Sequence, residues 1–435
     1  MLDEKQKEVV ESKEPNILVV AGAGSGKTLC LTERIKYLLN TDVAPSGIVA
    51  ITFTNMAAEE MKERLANVNG IGDCFIGTIH SFANKILKNS NEHYTLYTDE
   101  VDLKYHIYLI GKYCKNLTIE RYAEYCKLRT LYEMGRVTED EIDNFFDKAE
   151  NVELRCINRS IETVQEYINN GGSTYVESIE TLMKRDNCIT FDELLEKSRD
   201  YFSSLNIRIN HLLVDEFQDI GNLEWRFIQS LNAYNNFFIG DDYQAIYGFK
   251  GSNVSIFTSL ANNEKYKVYI LENNYRNSRK ILSIASEVIR QVPDRIDKKS
   301  IPHNTNSGIV MIKNKYSLKD CLHDIKCEGS YKDWFILTRS NKELYYIVQQ
   351  CEDLGIPHDT FKREGMSLAE LKKRMENDTV KILTVHSSKG LENKNVLLYG
   401  NFPVQCPKYR KNDEERRVMY VGITRAIDKL LILNG

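Results

Sequence analysis

Residues 16–28 read NILVVAGAGSGKT, a short apolar run and a glycine-rich turn closed by lysine and threonine, and after them Leu29, Leu31, Ile35, Leu38 and Leu39 recur at helical spacing. Strand, turn and helix in that order are the setting a phosphate-binding loop requires. Gly22, Gly24 and Gly26 let the backbone N–H groups of the loop, from Ala23 through Gly24, Ser25 and Gly26, close around a phosphate. Lys27 adds a point charge, and the Thr28 hydroxyl, at a helix amino terminus, can ligate Mg2+. Position 21 is alanine, so the looser [AG]xxxxGK[ST] pattern is the one met. The fold expected from this stretch is α/β, with a parallel sheet carrying a nucleotide at its loop ends.

A nucleotide site of this kind needs a second element, an apolar strand ending in an acid. Residues 211–216, HLLVDE, supply it with two neighbouring carboxylates. Asp215 is placed to hold Mg2+, directly or through water, and Glu216 to polarise the attacking water. Gln244 lies in a polar turn after the apolar FFIGDD run, where an amide can sense a γ-phosphate.

Composition bounds the rest. The chain has 435 residues and 28% charged residues, a length suited to several domains. No apolar run approaches the roughly 20 residues a membrane span needs, and the MLDEKQKEVV start is charged where a signal peptide is greasy, so a cytoplasmic protein is expected. The ten cysteines include no CxxC pair and read as reduced thiols; Cys321, His323 and Cys327 lack the second ligand pair of a zinc site. Net charge is −4, but from Tyr266 onward 30 Lys and Arg stand against 21 Asp and Glu. A basic third follows an acidic two-thirds, and that third suits phosphates.

The ordered motifs resemble the UvrD/Rep/PcrA type of superfamily 1A DNA helicase almost end to end. They are LDEKQ around Gln6, AGAGSGKT, ITFTNMAAEEM (51–61), GTIHSFANKIL (77–87), ITFDELL (189–195), VDEFQD (214–219), IGDDYQAIYGFKGS (239–252), LENNYRNSRKIL (271–282), TVHSSKGLENKNVLL (384–398) and EERRVMYVGITRA (414–426). The resemblance implies ATP as substrate and Mg2+ as cofactor, with Gln6 reading adenine, Tyr275 stacking on it and Glu392 near the ribose. It makes Arg276 and Arg425 arginine fingers, although each taken alone would be a surface arginine. It implies single-stranded DNA on Phe53, Thr54, Asn55, His80, Tyr247, Phe249, Thr384 and His386, where aromatic faces stack on bases and small donors hold phosphates.

Alternating strands and helices place residues 1–84 and 189–265 in one RecA-like lobe, 1A. Residues 85–188, polar and helical in period, resemble the insert 1B, and residues 266–435 the second lobe, 2A. No repeats are evident. The chain departs from the family in having only KREGMSLAELKKRMENDT (362–379) where most relatives insert a large 2B domain, and in ending after KLLIL, where AddA/RecB relatives add a nuclease. Residues 86–190 hold 13 Lys and Arg against 19 Asp and Glu, an awkward surface for duplex DNA. Leu29 stands where relatives often carry an arginine near the adenine, and Lys250 replaces the arginine of their WRG.

The function this implies is an ATP-driven single-stranded DNA translocase and 3′–5′ helicase in DNA repair, replication or recombination, acting on single-stranded or 3′-tailed duplex DNA. The reduced architecture also resembles the compact subunit paired with a nuclease in Gabija-type anti-phage systems, which implies a DNA-stimulated ATPase sensing for a partner nuclease.

Overall fold

The computed structural model describes residues 2–90, 92–98, 101, 104–105, 181–314, 317–361, 366–400, 402 and 413–434. It divides into two units, Met1–Phe82 with Phe202–Gly435, and Ala83–Tyr201. Most of the helical insert expected at 85–188 lies outside the described residues. The described part of that unit includes the parallel pair Thr95–Leu96 and Cys188–Ile189, so ITFDELL begins on the last residue of a short strand and continues into the helix Phe191–Ser204.

The larger unit holds two six-stranded sheets. The first contains β1 (Asn16–Ala21), β2 (Ile48–Thr52), β3 (Phe75–Thr78), β4 (His211–Val214), β5 (Asn235–Gly240) and β6 (Lys267–Leu271), in the order β3-β2-β4-β5-β1-β6. Every pairing in it is parallel. β1 and β2 are buried nearly throughout because helices cover both faces, which is why they read as unbroken apolar runs. The second sheet contains β7 (Ile309–Asn314), β8 (Trp334–Thr338), β9 (His358–Thr360), β10 (Val380–Thr384), β11 (Asn393–Tyr399) and β12 (Ala426–Asn434), in the order β7-β12-β11-β8-β10-β9, again all parallel.

One strand sits in a different sheet from the one its sequence position suggests. KVYIL, read as opening the second lobe, is β6, paired with β1 from Ile17↔Lys267 to Ala21↔Leu271. Its Tyr269 and Leu271 join the core around Val19 and Leu31. Apolar spacing announces a strand but does not say which sheet edge accepts it.

In the first sheet the chain goes from β1 to one side for β2 and from β5 crosses to the far side of β1 for β6, and such a reversal opens a crevice at the carboxyl ends of the strands. The loops after β1, β4 and β5 meet there. A buried apolar cluster joins the two sheet-bearing lobes across it, running from Ala23, Met56, Tyr243 and Ile246 to Leu383, Val385, Val418 and Tyr420. Between β9 and β10 lies the helix Leu368–Glu376; Leu368 N–H donates to Glu59 at 3.2 Å and Lys372 pairs with Glu63, so it leans on the helix Asn55–Leu65 of the first lobe. Among the described residues no helix is long and apolar enough to cross a membrane.

Candidate functional site

The loop after β1 takes the left-handed conformation at Gly24 (φ 67°) and Gly26 (φ 82°), a region that side chains disfavour. A Cβ on Gly24 would lie 2.7 Å from Arg276 Cβ, and one on Gly26 2.8 Å from Gln6 Nε2. Gly22 makes no such demand, its nearest neighbour being Ser300 Oγ at 3.7 Å. Gly26 is the N-cap of the helix Lys27–Leu39, so Thr28 is its second residue and the first-turn N–H groups point at the loop. Lys27 Nζ reaches back to the Ala21 and Gly22 carbonyls at 3.2 and 3.4 Å.

Side chains from distant segments brace this loop. Gln6 Nε2 donates to Ser25 O at 2.9 Å, while its Oε1 accepts from Asp3 N–H at 3.0 Å in the capping box of the first helix. Asn274 Nδ2 donates to Ala23 O at 2.6 Å and Tyr275 N–H to Gly24 O at 2.8 Å. Tyr275 is 41% exposed, its ring lies 4.8 Å from that of His303 and its hydroxyl donates to Asp3, which places a partly exposed aromatic ring beside the loop.

β4 delivers Asp215 and Glu216 into the crevice. Glu216 has φ 47°, a strained conformation for a residue with a side chain. Burial, and then the Glu216 charge, push the Asp215 carboxyl up to about 7. For Glu216 burial acts the same way, but Lys27 and Lys389 outweigh it and hold the carboxyl below its usual range. A cation beside Asp215 would relieve that like-charge crowding, so the donor set of the Thr28 hydroxyl and Asp215 carboxylate fits Mg2+. Gln218 ties the two loops together: its Nε2 donates to Glu216 at 2.6 Å and its Oε1 accepts from Asp241 N–H at 2.8 Å.

Gln244 stands in a 3-10 turn after β5, its amide pointing Nε2 at Asp241 Oδ2 (2.6 Å) and Oε1 at Arg425 Nη2 (3.1 Å). Arg425 lies not in the helix Asp413–Ile423, as its sequence position suggests, but in the turn between that helix and β12. It also donates to Val421 O and Leu391 O, each at 3.0 Å. Burial, and then the Arg276 charge, bring it down to about 9. Arg276 pairs with Glu392 and donates weakly to Thr424 O at 3.5 Å, so Glu392 faces a guanidinium here.

The aromatic residues assigned to DNA gather at the neighbouring loop ends. Phe53 and Tyr247 stack at 5.2 Å and 17°, Phe249 meets His386 edge-on at 5.4 Å, and the Tyr247 hydroxyl donates to His386 O at 3.4 Å. Phe249 is 66% exposed, which core packing does not explain. A cavity beside them is lined by Phe53, His80, Tyr247 and Lys250 together with Asp215 and Asp219. Burial, and then Arg339, push His386 down to about 4, so it is a neutral imidazole. Thr54 accepts from Ala57 N–H at 3.1 Å as the cap of the helix that Asn55 begins, and Thr384 accepts from Ser387 N–H at 3.2 Å.

Sequence reasoning passed over several participants. Lys389 is buried, pairs with Asp219, donates to Gln244 O at 2.9 Å and lies 4.9 Å over the Tyr247 ring. It sits inside TVHSSKG and was recognisable from that motif. Asn277 donates to Thr424 O (3.0 Å) and Ala426 O (2.6 Å), with no signal beyond its place in NNYRNSRK. A short repeat also escaped notice. Thr52-Phe-Thr54-Asn follows β2 and Thr338-Arg-Ser340-Asn follows β8, with the first threonine donating to the carbonyl two residues on at 3.0 and 3.1 Å. Thr78-Ile-His80-Ser and Thr384-Val-His386-Ser end β3 and β10, each threonine accepting from the serine N–H at 3.2 Å. In both sheets the two strands concerned are neighbours.

Residues 2–265 match the model of the UvrD/REP helicase N-terminal domain, and residues 362–434 that of the UvrD-like helicase C-terminal domain. A Mycoplasma pneumoniae protein described as a probable DNA helicase is 27% identical, across 100% of this chain and 83% of its own. DNA helicase II of Haemophilus influenzae is 28% identical and the ATP-dependent DNA helicase PcrA of Staphylococcus aureus 26%, each across 82% of this chain. The chain spans about half the length of these last two, 51% and 50%.

Proposed function

This chain belongs to the UvrD/REP helicase family, and on that premise we propose that it hydrolyses ATP to move along single-stranded DNA in the 3′ to 5′ direction, opening duplex DNA that carries a 3′ tail. The observation that carries the reading is the Gln244–Arg425 hydrogen bond, which joins a turn of the first lobe to a turn of the second at the crevice holding Lys27, Asp215 and Glu216. A phosphate placed among these groups is sensed by both lobes at once.

In this reading Gln6 and Tyr275 hold the adenine and the Gly24–Lys27 loop the phosphates, with Thr28 and Asp215 as ligands of Mg2+. When bound, Mg2+ neutralises phosphate charge. Glu216, kept ionised by Lys27 and Lys389, orients the attacking water and takes its proton, while Arg276 and Arg425 neutralise the charge that develops on the transferred group. Glu392 aligns Arg276. The Phe53, Tyr247, Phe249 and His386 cluster stacks on bases, while Thr54, Asn55, His80 and Thr384 hold phosphates. Lys389 touches Gln244 and Tyr247 alike, which lets phosphate occupancy alter the grip on DNA. The role is one in DNA repair, replication or recombination, in the cytoplasm.

The test is ATP hydrolysis with and without single-stranded DNA, run beside unwinding of duplexes with a 3′ or a 5′ tail. Stimulated hydrolysis with unwinding of the 3′-tailed duplex alone is expected. Hydrolysis without unwinding would favour a subunit that signals to a partner such as a nuclease, and preference for a 5′ tail would overturn the direction.

A further inference from the structure

Lys298 belongs to no motif. It lies in the loop beyond the helix Arg279–Ile289, yet its side chain is 1% exposed. Nζ is 3.0 Å from Asp241 Oδ1, pairs with Asp242 Oδ1, and sits 3.3 Å from the centroid of the Tyr243 ring. All three partners stand in the GDDYQ turn that ends at Gln244.

The chemistry of that turn depends on the charge of Asp241. An amide can point either its oxygen or its nitrogen at a neighbour, and only an ionised carboxylate, which accepts and never donates, forces the nitrogen toward itself. Asp241 Oδ2 takes Gln244 Nε2 at 2.6 Å, which leaves Gln244 Oε1 facing Arg425 at 3.1 Å. A protonated Asp241 could donate to the amide oxygen instead, turning the nitrogen toward a guanidinium that cannot accept it. Asp241 is fully buried, where an uncompensated carboxylate takes up a proton. The Lys298 charge opposes that burial more strongly than the Lys27 charge does. Other bonds hold the shape of the turn: Ile296 N–H donates to Asp242 Oδ2 at 2.9 Å and Arg417 Nε to Asp242 O at 3.0 Å.

We propose that Lys298 is a positioning residue for Gln244: from the second lobe it keeps Asp241 ionised, and Asp241 fixes the amide orientation that Arg425 and the γ-phosphate meet. The inference rests on the reading of Gln244 as a phosphate sensor given above. Lys298 touches neither nucleotide nor DNA in it and acts only through the amide.

The test is a double-mutant cycle on the full chain with Lys298→Met, Gln244→Ala and the pair, measuring kcat and KM of DNA-stimulated ATP hydrolysis and the affinity for a fluorescent ATP analogue. Lys298→Met is expected to lower kcat about 10- to 100-fold while KM and analogue affinity stay within about threefold, and to cause no further loss in the Gln244→Ala background. Lys298→Arg, which keeps the charge, restores most of the rate. If Lys298→Met does not fold, the same cycle with Asp241→Asn removes the charge while keeping the volume, and the same non-additive loss is expected. Losses that multiply, a wild-type rate in the charge-removing variant, or a parallel loss of analogue binding each overturn the inference. A wild-type chain without ATPase activity overturns the parent reading, and this one with it.

Discussion

Arg425 Nη2 lies 3.1 Å from Gln244 Oε1, and Gln244 Nε2 lies 2.6 Å from Asp241, so one side-chain amide carries a contact from the second lobe into the carboxylate network of the first. The guanidinium is buried, has its other donors on the Val421 and Leu391 carbonyls and the Thr424 hydroxyl, and is crowded by Arg276. An anion entering between the two arginines removes a repulsion that the protein carries without it.

Arg425→Ala should therefore reduce kcat for ATP hydrolysis by at least about 10³-fold, the scale of an arginine finger. Arg425→Lys should rescue little, because an ammonium cannot span Gln244, Val421 O and Leu391 O together. Steady-state kinetics of both variants decide this, and near-wild-type hydrolysis in either would remove Arg425 from the reaction.

Glu216→Gln should cut hydrolysis by about 10²–10⁴-fold, the usual contribution of a general base, while ATP binding is kept. Its melting temperature should shift little, since the change relieves the charge pressed against Asp215 but takes a counter-charge from Lys27 and Lys389. Calorimetric titration with ATP and a thermal melt check the two halves of the statement.

Phe249→Ala should weaken binding to single-stranded oligonucleotides by about 1–3 kcal/mol, the range for one lost base stack. Its exposure predicts an almost unchanged melting temperature. Fluorescence anisotropy across a salt series should show parallel lines for variant and wild type, because a stacking residue neutralises no phosphate.

His211 and His386 are both pushed to about 4, by burial first, with Arg34 and Arg339 respectively adding to it. The unfolded chain binds these protons near pH 6.5 and the folded one resists them, so the stabilisation is full above pH 6.5 and declines as pH falls toward 4. Asp215 and Asp219, pushed up to about 7, slope the other way over the same range, so the histidine contribution is read by difference. Compared with wild type, His386→Gln should raise the urea midpoint at pH 5.5 relative to that at pH 7.5, and an unchanged difference would mean the imidazole protonates freely when folded.

Much of the site was legible because phosphate chemistry leaves local marks. The loop, the two acids and the aromatic cluster each need particular residue types at fixed short spacing, and Lys27, Asp215, Glu216 and Tyr247 all converge on one crevice. What was not legible depends on pairing across long separations. β6 reads as an ordinary apolar strand until β1 accepts it, and Lys298 reads as one basic residue in a KK pair until it is found against Asp241 and Asp242. The strand-end repeat escaped for another reason: four residues recurring after unequal intervals have no period to detect.

The pairing of β6 with β1 makes the two arginines mechanically unequal. Asn274, Tyr275 and Arg276 follow directly from that strand and are pinned to the phosphate loop by the Asn274–Ala23 and Tyr275–Gly24 bonds, whereas Arg425 stands in the turn that opens β12 of the second sheet. Any movement that parts the two sheets would leave Arg276 behind like the fixed jaw of a vice and carry Arg425 as the moving one. The pivot of such a movement would fall at Asn277, whose amide grips Thr424 and Ala426 on the second-sheet side only three residues after Asn274 has gripped the first.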